Sequence, residues 1–287
     1  MSERDGTILV TGATGSTGSA LVRELVARGA PVTAMVRGTS STAPQGAATV
    51  VADFDDAASL AAALRGVRAA YLVTPSSERA QEQQERFVEV AAAQGVEHLV
   101  VLSQYASVED SPVRFLRYHA AVERRVRELG VGHTFLRPNL YFQGLLAFAD
   151  MIREQGRFMA PIGDARVSAV DVRDIAAVAA VVLTEPGHVG RSYEITGPTA
   201  VTHEEIATAI GAATGRPVEF LDVPPEAFAA ALRGVLPDWQ VDGLLEDYAH
   251  YARGEAARVF PSVAEVTGTP ARDVATFARD HAAAFGG

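Results

Sequence analysis

Short aliphatic and β-branched runs alternate with longer Ala/Leu/Glu/Arg-rich stretches whose apolar residues recur at helical spacing, from the N-terminus to about residue 137. That rhythm predicts βαβ units around a parallel sheet, because a strand covered on both faces reads as a continuous apolar run while its crossover helix shows one apolar stripe. Strands are predicted at Thr7–Thr11, Pro31–Val36, Ala48–Ala52, Ala69–Val73, His98–Ser103 and His133–Arg137. Helices are predicted at about Ser16–Arg28, Ala57–Leu64, Glu78–Gln94 and Phe115–Leu129. Glycines follow them at Gly29, Gly66, Gly95 and Gly130, the usual residue for a left-handed helix stop.

Beyond residue 137 the rhythm loosens. A Gly/Pro-bearing loop is expected at Gly156–Asp164, a helix from about Val172, a strand at Ser192–Thr196, and helices after Thr202, Pro225 and Pro270. Residues 1–140 therefore read as the sheet domain and 141–287 as a smaller α+β lobe, with 165–200 contributing elements back to the sheet. No internal repeat or low-complexity linker interrupts the chain.

Composition narrows the class. A chain of 287 residues, 48% apolar and 21% charged, suits one α/β core with an appended lobe. No run approaches the ~18 apolar residues of a membrane span. The start, Met1 to Gly6, carries mixed charge and leads at once into a strand, so neither a leader nor a lipid anchor is expected and the location reads as cytoplasmic. Without cysteine there is no thiolate chemistry, and with no pair of histidines at ligand spacing no metal is expected. The chain has no lysine, since all 25 basic residues are arginine, which excludes Schiff-base mechanisms. A net charge of −10 argues against a nucleic-acid partner. A small-molecule ligand and a monomer or homodimer are expected.

The strongest chemical signal is Gly12-Ala13-Thr14-Gly15-Ser16-Thr17-Gly18, placed directly after a buried strand and opening a helix. Backbone N–H groups at a helix N-terminus, with the helix dipole, bind a diphosphate, and glycines let the chain turn sharply and approach it. An ordinary glycine turn is the alternative, but strand before, helix after and a second strand following meet the contextual test. The fold class is thus α/β, a Rossmann-type doubly wound parallel sheet with a smaller C-terminal α+β substrate lobe. The turn residues Gly12, Thr14, Gly15, Ser16, Thr17 and Gly18 are assigned to the dinucleotide. At the end of the second strand Arg37 suits a 2′-phosphate, where an acidic residue would suit a free ribose, so NADP(H) is favoured; a solvated surface arginine is the other reading. Asp53 and Phe54, ending the third strand, fall where an adenine-contacting pair sits, with helix capping at Asp56 as the alternative for Asp53.

Together with Val73-Thr74-Pro75, Ser103, His119-x-x-x-Glu123, Thr134-x-x-Arg137-Pro138-Asn139, Val170 to Ala176 and Tyr193 to Pro198, these motifs resemble the NmrA-like branch of the atypical short-chain dehydrogenase/reductases, particularly the NAD(P)H:quinone oxidoreductase type. The resemblance spans nearly the whole chain. It implies NADP(H) contacts at Thr74, Pro75, Ser103, His119, Pro138, Asn139 and Leu140, with Tyr141 and Phe142 flanking the nicotinamide. It also implies hydride transfer to a quinone-like or conjugated carbonyl acceptor, such as a natural-product intermediate. Some relatives only sense the nucleotide, so a non-catalytic NADP(H)-binding redox sensor is the alternative.

The sequence departs from the superfamily pattern at two places. There is no Tyr-x-x-x-Lys dyad, and Gln143-Gly144 follow Tyr141-Phe142 where relatives often carry Glu-Asn. In the dyad's place His119 and Glu123 lie one helical turn apart, where the carboxylate is expected to hold the imidazole and raise its pKa. His119 then reads as a proton donor or a polar clamp, or the pair as plain helix packing. Tyr105, near Ser103 at the carboxyl edge of the sheet, is positioned to hydrogen-bond a carbonyl. Asp171 and Asp174 read as helix caps. Trp239, Tyr248, Tyr251, Phe142, Phe148 and Phe158 are candidates for an aromatic substrate pocket or for ordinary core, with Trp239 assigned to substrate alongside Tyr105, Tyr141 and Phe142.

Overall fold

The first strand, β1 (Thr7–Val10), is apolar along its length and leads through the glycine turn into α1 (Ser16–Ala27). The computed structural model describes residues 6–38 and 42–287; Met1 to Asp5, on which the leader expectation rests, lie outside them. The chain continues through β2 (Val32–Val36), β3 (Ala48–Val51), α2 (Ala57–Ala63), β4 (Val67–Leu72), α3 (Ala80–Ala93), β5 (His98–Leu102), α4 (Arg114–Glu128) and β6 (His133–Pro138). All these elements were legible in the sequence to within about two residues. Gly29, Gly66, Gly95 and Gly130 each take positive φ where a helix stops.

The seven-stranded sheet has the order β3-β2-β1-β4-β5-β6-β8, with β8 at Arg191–Ile195. The pairs β2–β3, β1–β2, β1–β4, β4–β5 and β5–β6 are parallel. Strand order reverses between β1 and β4, so the carboxyl ends of these two strands form the topological switch point at which such sheets bind ligands. Two compact units result. Unit 1 comprises the described part of Met1–Asp110 with Leu116–Arg137 and Ile175–Glu194, and unit 2 comprises Ser111–Phe115, Pro138–Asp174 and Ile195–Gly287. The segment that returns to the sheet is thus narrower than the expected 165–200. Unit 1 closes around Leu9, Met35, Leu72, Phe87, Val101 and Phe135, all less than one-twentieth exposed.

Unit 2 holds a 3-10 turn at Phe142–Phe148, α5 (Ala149–Gln155), β7 (Arg157–Ala160), the start of α6 (Val172–Thr184), α7 (His203–Thr214), β9 (Glu219–Asp222), α8 (Pro225–Leu232), α9 (Asp238–Ala252), α10 (Ser262–Thr267), α11 (Val274–Asp280) and a last 3-10 turn at Ala282–Phe285. The expected loop at Gly156–Asp164 is corrected: it contains β7, which pairs in parallel with β9 from Arg157 opposite Glu219 to Ala160 opposite Asp222. Four residues between Gly156 and Pro161 are too few for a period-two signal, and the partner lies some sixty residues on. No helix among the described residues is long and apolar enough to cross a membrane.

Candidate functional site

At the switch point the buried Thr11 ties β1 to β4. Its hydroxyl donates to the Val73 carbonyl at 2.9 Å and accepts from the Val73 N–H at 2.8 Å. Gly12 has φ +56°, and a Cβ there would stand 2.6 Å from Val73 Cγ1. A Cβ on Gly18 would stand 2.2 Å from the Gly12 carbonyl oxygen, so only glycine lets α1 pack back on the turn. Gly15 differs. It is the N-cap of α1 in extended conformation, no side chain caps the helix, and a Cβ would meet only the Gly12 oxygen at 3.3 Å. Thr14, Gly15 and Ser16 are exposed while Thr17 and Gly18 are buried. The first-turn N–H groups at the positive end of the helix dipole have no side-chain cap, and the turn before them is exposed, which is what a diphosphate requires.

Arg37 follows β2 directly and is exposed; among the described residues its guanidinium pairs with no carboxylate. Asp53 is exposed and accepts the Asp55 N–H at 2.9 Å, while the cap of α2 is Asp56, which accepts from the Ala58 N–H. Phe54 lies inward of Asp53. Its ring is 7% exposed, packs 5.9 Å from Phe87 and belongs to the core of unit 1, because alternation along the chain leaving β3 turns it inward. Thr74 and Pro75 follow β4, and the Thr74 hydroxyl accepts from Nε2 of the buried Gln84 at 2.9 Å. Gln84 was missed: one amide in a helical stripe of polar residues carries no signal.

The expectation that Glu123 holds the His119 ring is corrected. Glu123, 1% exposed, accepts from Ser103 Oγ at 2.7 Å, from Arg137 Nε at 2.8 Å and Nη2 at 2.5 Å, and from Arg127 Nη2 at 2.9 Å. Burial alone would raise its pKa, but the Arg137 and Ser103 hydrogen bonds and the arginine charges hold the carboxyl below its ordinary range. Helical spacing presents the pair on one face, yet the bidentate arginine from β6 outcompetes an imidazole one turn away. His119 is buried, its Nδ1 has no hydrogen-bond partner, and burial pushes its pKa down to about 3 despite the opposing charge of Glu123. It is a neutral imidazole at pH 7. Tyr105 is half-buried in the loop after β5, next to Ala106, whose φ of +61° marks a sharp turn.

Within unit 2 Pro138 and Asn139 are buried, and the Asn139 side chain is engaged locally. Its Nδ2 donates to Ser168 Oγ and to the Ala256 carbonyl, both at 2.9 Å, and Oδ1 accepts from the Leu140 N–H at 2.8 Å. Gln143 donates to Asp171 Oδ1 at 2.9 Å and accepts the Val172 N–H at 3.0 Å, so the departure at this position serves the start of α6. Asp171 accepts the Arg173 N–H, as a cap would, whereas Asp174 is held by the Arg272 N–H and guanidinium.

Leu140, Tyr141 and Phe142 open a cavity of about 290 Å³ whose wall includes Phe148, Phe158, Tyr248 and Tyr251. Trp239, expected in this pocket, is not part of the wall. It packs 5.3 Å from Phe115 with the Arg114 guanidinium 5.7 Å over its ring. The reason is helical phase: Gln240, Leu244, Asp247, Tyr248 and Tyr251 form the α9 stripe facing the cavity, and Trp239 sits on the adjacent face with Gly243, against Phe115. Among the described residues no group of three His, Cys, Asp or Glu is placed to hold a metal ion.

Comparison with known proteins fits this geometry. The NmrA-like family model matches residues 4–263. The chain is 38% identical over 283 residues to the NAD(P)H azoreductase of Xenophilus azovorans, covering 97% of this chain and 99% of the relative. It is 30% identical over 275 residues to quinone oxidoreductase 2 of Escherichia coli, covering 93% and 96%. The solved structure of the NADPH-dependent quinone oxidoreductase of Escherichia coli complexed with NADPH superposes with a TM-score of 0.85 at 29% identity, over 94% of this chain and 98% of that one. A doubly wound sheet with an uncapped glycine turn at its switch point, matched over almost its full length by these proteins, belongs to the NmrA-like family.

Proposed function

We propose that this protein is an NADPH-dependent oxidoreductase that passes hydride to a quinone-like or conjugated carbonyl acceptor. The observation that carries the reading is the exposed, uncapped α1 N-terminus, with Arg37 exposed at the end of the strand paired with β1, in a chain similar over nearly its whole length to an NAD(P)H azoreductase and a quinone oxidoreductase. These residues fit the nucleotide: the turn N–H groups would hold its diphosphate and Arg37 its 2′-phosphate. Bound NADPH supplies the hydride. Thr74, set by Gln84, and Ser103, set by Glu123, would orient the nucleotide near β4 and β5. The aromatic cavity of unit 2 would exclude water from a flat acceptor.

Arg37→Ala is expected to weaken NADPH binding by ~2 kcal/mol while leaving NADH binding nearly unchanged, measured by calorimetry. Equal wild-type affinity for the two nucleotides would overturn the 2′-phosphate assignment.

His119 acts as a neutral polar clamp, not as an imidazolium acid, and the proton that accompanies hydride comes from Tyr105 or solvent. His119→Ala is expected to lower quinone turnover by about tenfold, the scale of one lost hydrogen bond. Because burial keeps the ring uncharged down to about pH 3, the pH–rate profile should keep its shape in the variant between pH 5.5 and 8. A limb near pH 6.5 that disappears with the imidazole would restore the acid role.

A further inference from the structure

At the amino edge of the sheet, on the side away from the glycine turn, three histidines gather with one arginine. His98 and His133 are the first residues of β5 and β6, and His188 sits in the turn that leads into β8. The imidazole of His98 is 7% exposed, and its Nε2 lies 2.9 Å from Oγ1 of the fully buried Thr134. Thr134 donates its one hydroxyl hydrogen to the His188 carbonyl at 2.7 Å, so the proton between His98 and Thr134 belongs to Nε2. That fixes the tautomer. A second proton must go to Nδ1, for which no acceptor stands among the described residues. The relay ties down an otherwise open segment, since of residues 185–190 only His188 is half-buried and the rest are exposed. Beside it the Gly190 N–H donates to the His133 carbonyl at 2.6 Å.

We propose that the relay of His98, Thr134 and His188 is an acid-sensitive clasp: a second proton on His98 releases residues 185–190 from the starts of β5 and β6 while the rest of the sheet stays folded. The ring is out of water, so a charge on it is poorly solvated. The charges that bear on it are of one sign: Arg68 of β4, whose guanidinium donates to the Leu183 carbonyl at 3.1 Å, and the rings of His188 and His133 once they are protonated. Charged groups on the neighbouring elements do not offset them, because Glu97 and Arg191 are exposed and Glu185 pairs with Arg28 at 3.5 Å. The other two rings meet only neutral groups. His188 Nδ1 lies 2.8 Å from the Tyr193 hydroxyl, and His133 Nδ1 donates to the Val131 carbonyl at 2.8 Å. Burial first, and these cations after it, push the His98 pKa from 6.5 down to about 4. Above about pH 6.5 the ring is neutral whether the clasp is closed or open, and the relay costs nothing. Between there and about pH 4 only the open form takes the proton, so the clasp weakens as pH falls.

Hydrogen exchange of the Gly190 amide, followed by NMR on the full chain and corrected for the intrinsic rate, tests the clasp. The wild-type protection factor is expected to fall about thirtyfold between pH 7.5 and pH 5, the factor that a pKa difference from 6.5 to about 4 gives over that range. The Ile8 amide, held by the Pro31 carbonyl at 2.9 Å, should change less than about threefold, because β1 stays paired. His98→Gln places an amide nitrogen at the same remove along the side chain, donates to Thr134 and does not titrate, so Gly190 protection in it should stay level across the same range. Thr134→Val removes both hydrogen bonds and should leave Gly190 poorly protected at either pH. In the wild type, ¹⁵N spectra should place the His98 proton on Nε2 at pH 7.5 and show the second arriving only below about pH 5, a readout that depends on no variant. Level Gly190 protection in the wild type, an equal fall in His98→Gln, a parallel fall at Ile8, undiminished protection in Thr134→Val, or a His98 ring that takes its second proton near pH 6.5 would each overturn the clasp. No nucleotide enters, so a failed reductase assay would overturn only the proposed function.

Discussion

Glu123→Ala is expected to destabilise the protein by about 3 kcal/mol or more, because it strips a buried, bidentate partner from the Arg137 guanidinium and leaves that charge facing only Glu194 at 3.4 Å. Chemical denaturation at pH 7 measures it. Arg127→Ala is the control: Arg127 donates to the same carboxylate but is half exposed, so its loss should cost less than about 1 kcal/mol. The wild type should show the matching pH dependence. The folded-state pKa of Glu123 lies below its unfolded value, so its contribution is fully present above that unfolded value and is lost as pH falls through the folded one. Glu123→Ala should therefore flatten the acid side of the stability curve below about pH 4.5, the carboxylate's ordinary range. Equal stability of the two proteins at pH 7 would show that the network of Ser103, Arg127 and Arg137 does not hold unit 1 together.

Gly15→Val is expected to abolish NADPH binding, by at least about a hundredfold, with a stability change near 1 kcal/mol. The Gly15 backbone is extended, and a Cβ there would meet one backbone carbonyl oxygen at a tight 3.3 Å, which must give by a few tenths of an ångström, a far smaller conflict than at Gly18. The branched group would instead project over the uncapped N–H groups. Gly18→Val separates the two roles, since its Cβ would overlap the Gly12 carbonyl and should damage the fold and binding together. Retained NADPH affinity in a folded Gly15→Val protein would move the diphosphate away from this turn.

These two residues also mark the boundary between local and distant information. Gly12, Gly15 and Gly18 were recognisable because strand, turn and helix are contiguous in the chain, and the physics of a helix N-terminus needs nothing from elsewhere. The same holds for Arg37, which follows β2 directly. Glu123 was recognisable as a site residue but was paired with the wrong partner. Spacing of i, i+4 presents His119, while the partner that wins stands fourteen residues on, in β6, where only the folded sheet brings a guanidinium beside α4. Aromatics that could build a pocket were identifiable by type. Which of them face it depended on the phase of α9, which placed Tyr248 and Tyr251 in the wall and turned Trp239 toward Phe115.

By itself the sequence determined the alternating β/α order to residue 137, the glycine turn and its nucleotide chemistry, and the absence of lysine and thiolate mechanisms. Each follows from residue type and short-range spacing. Tertiary structure alone decided that β7 and β9 pair, that Phe54 belongs to the core, that Asn139 is engaged by Ser168 and Ala256, and that His119 and His203 are buried with an unpaired Nδ1. Those outcomes depend on desolvation and on contacts between residues dozens to more than a hundred positions apart, neither of which a local pattern carries.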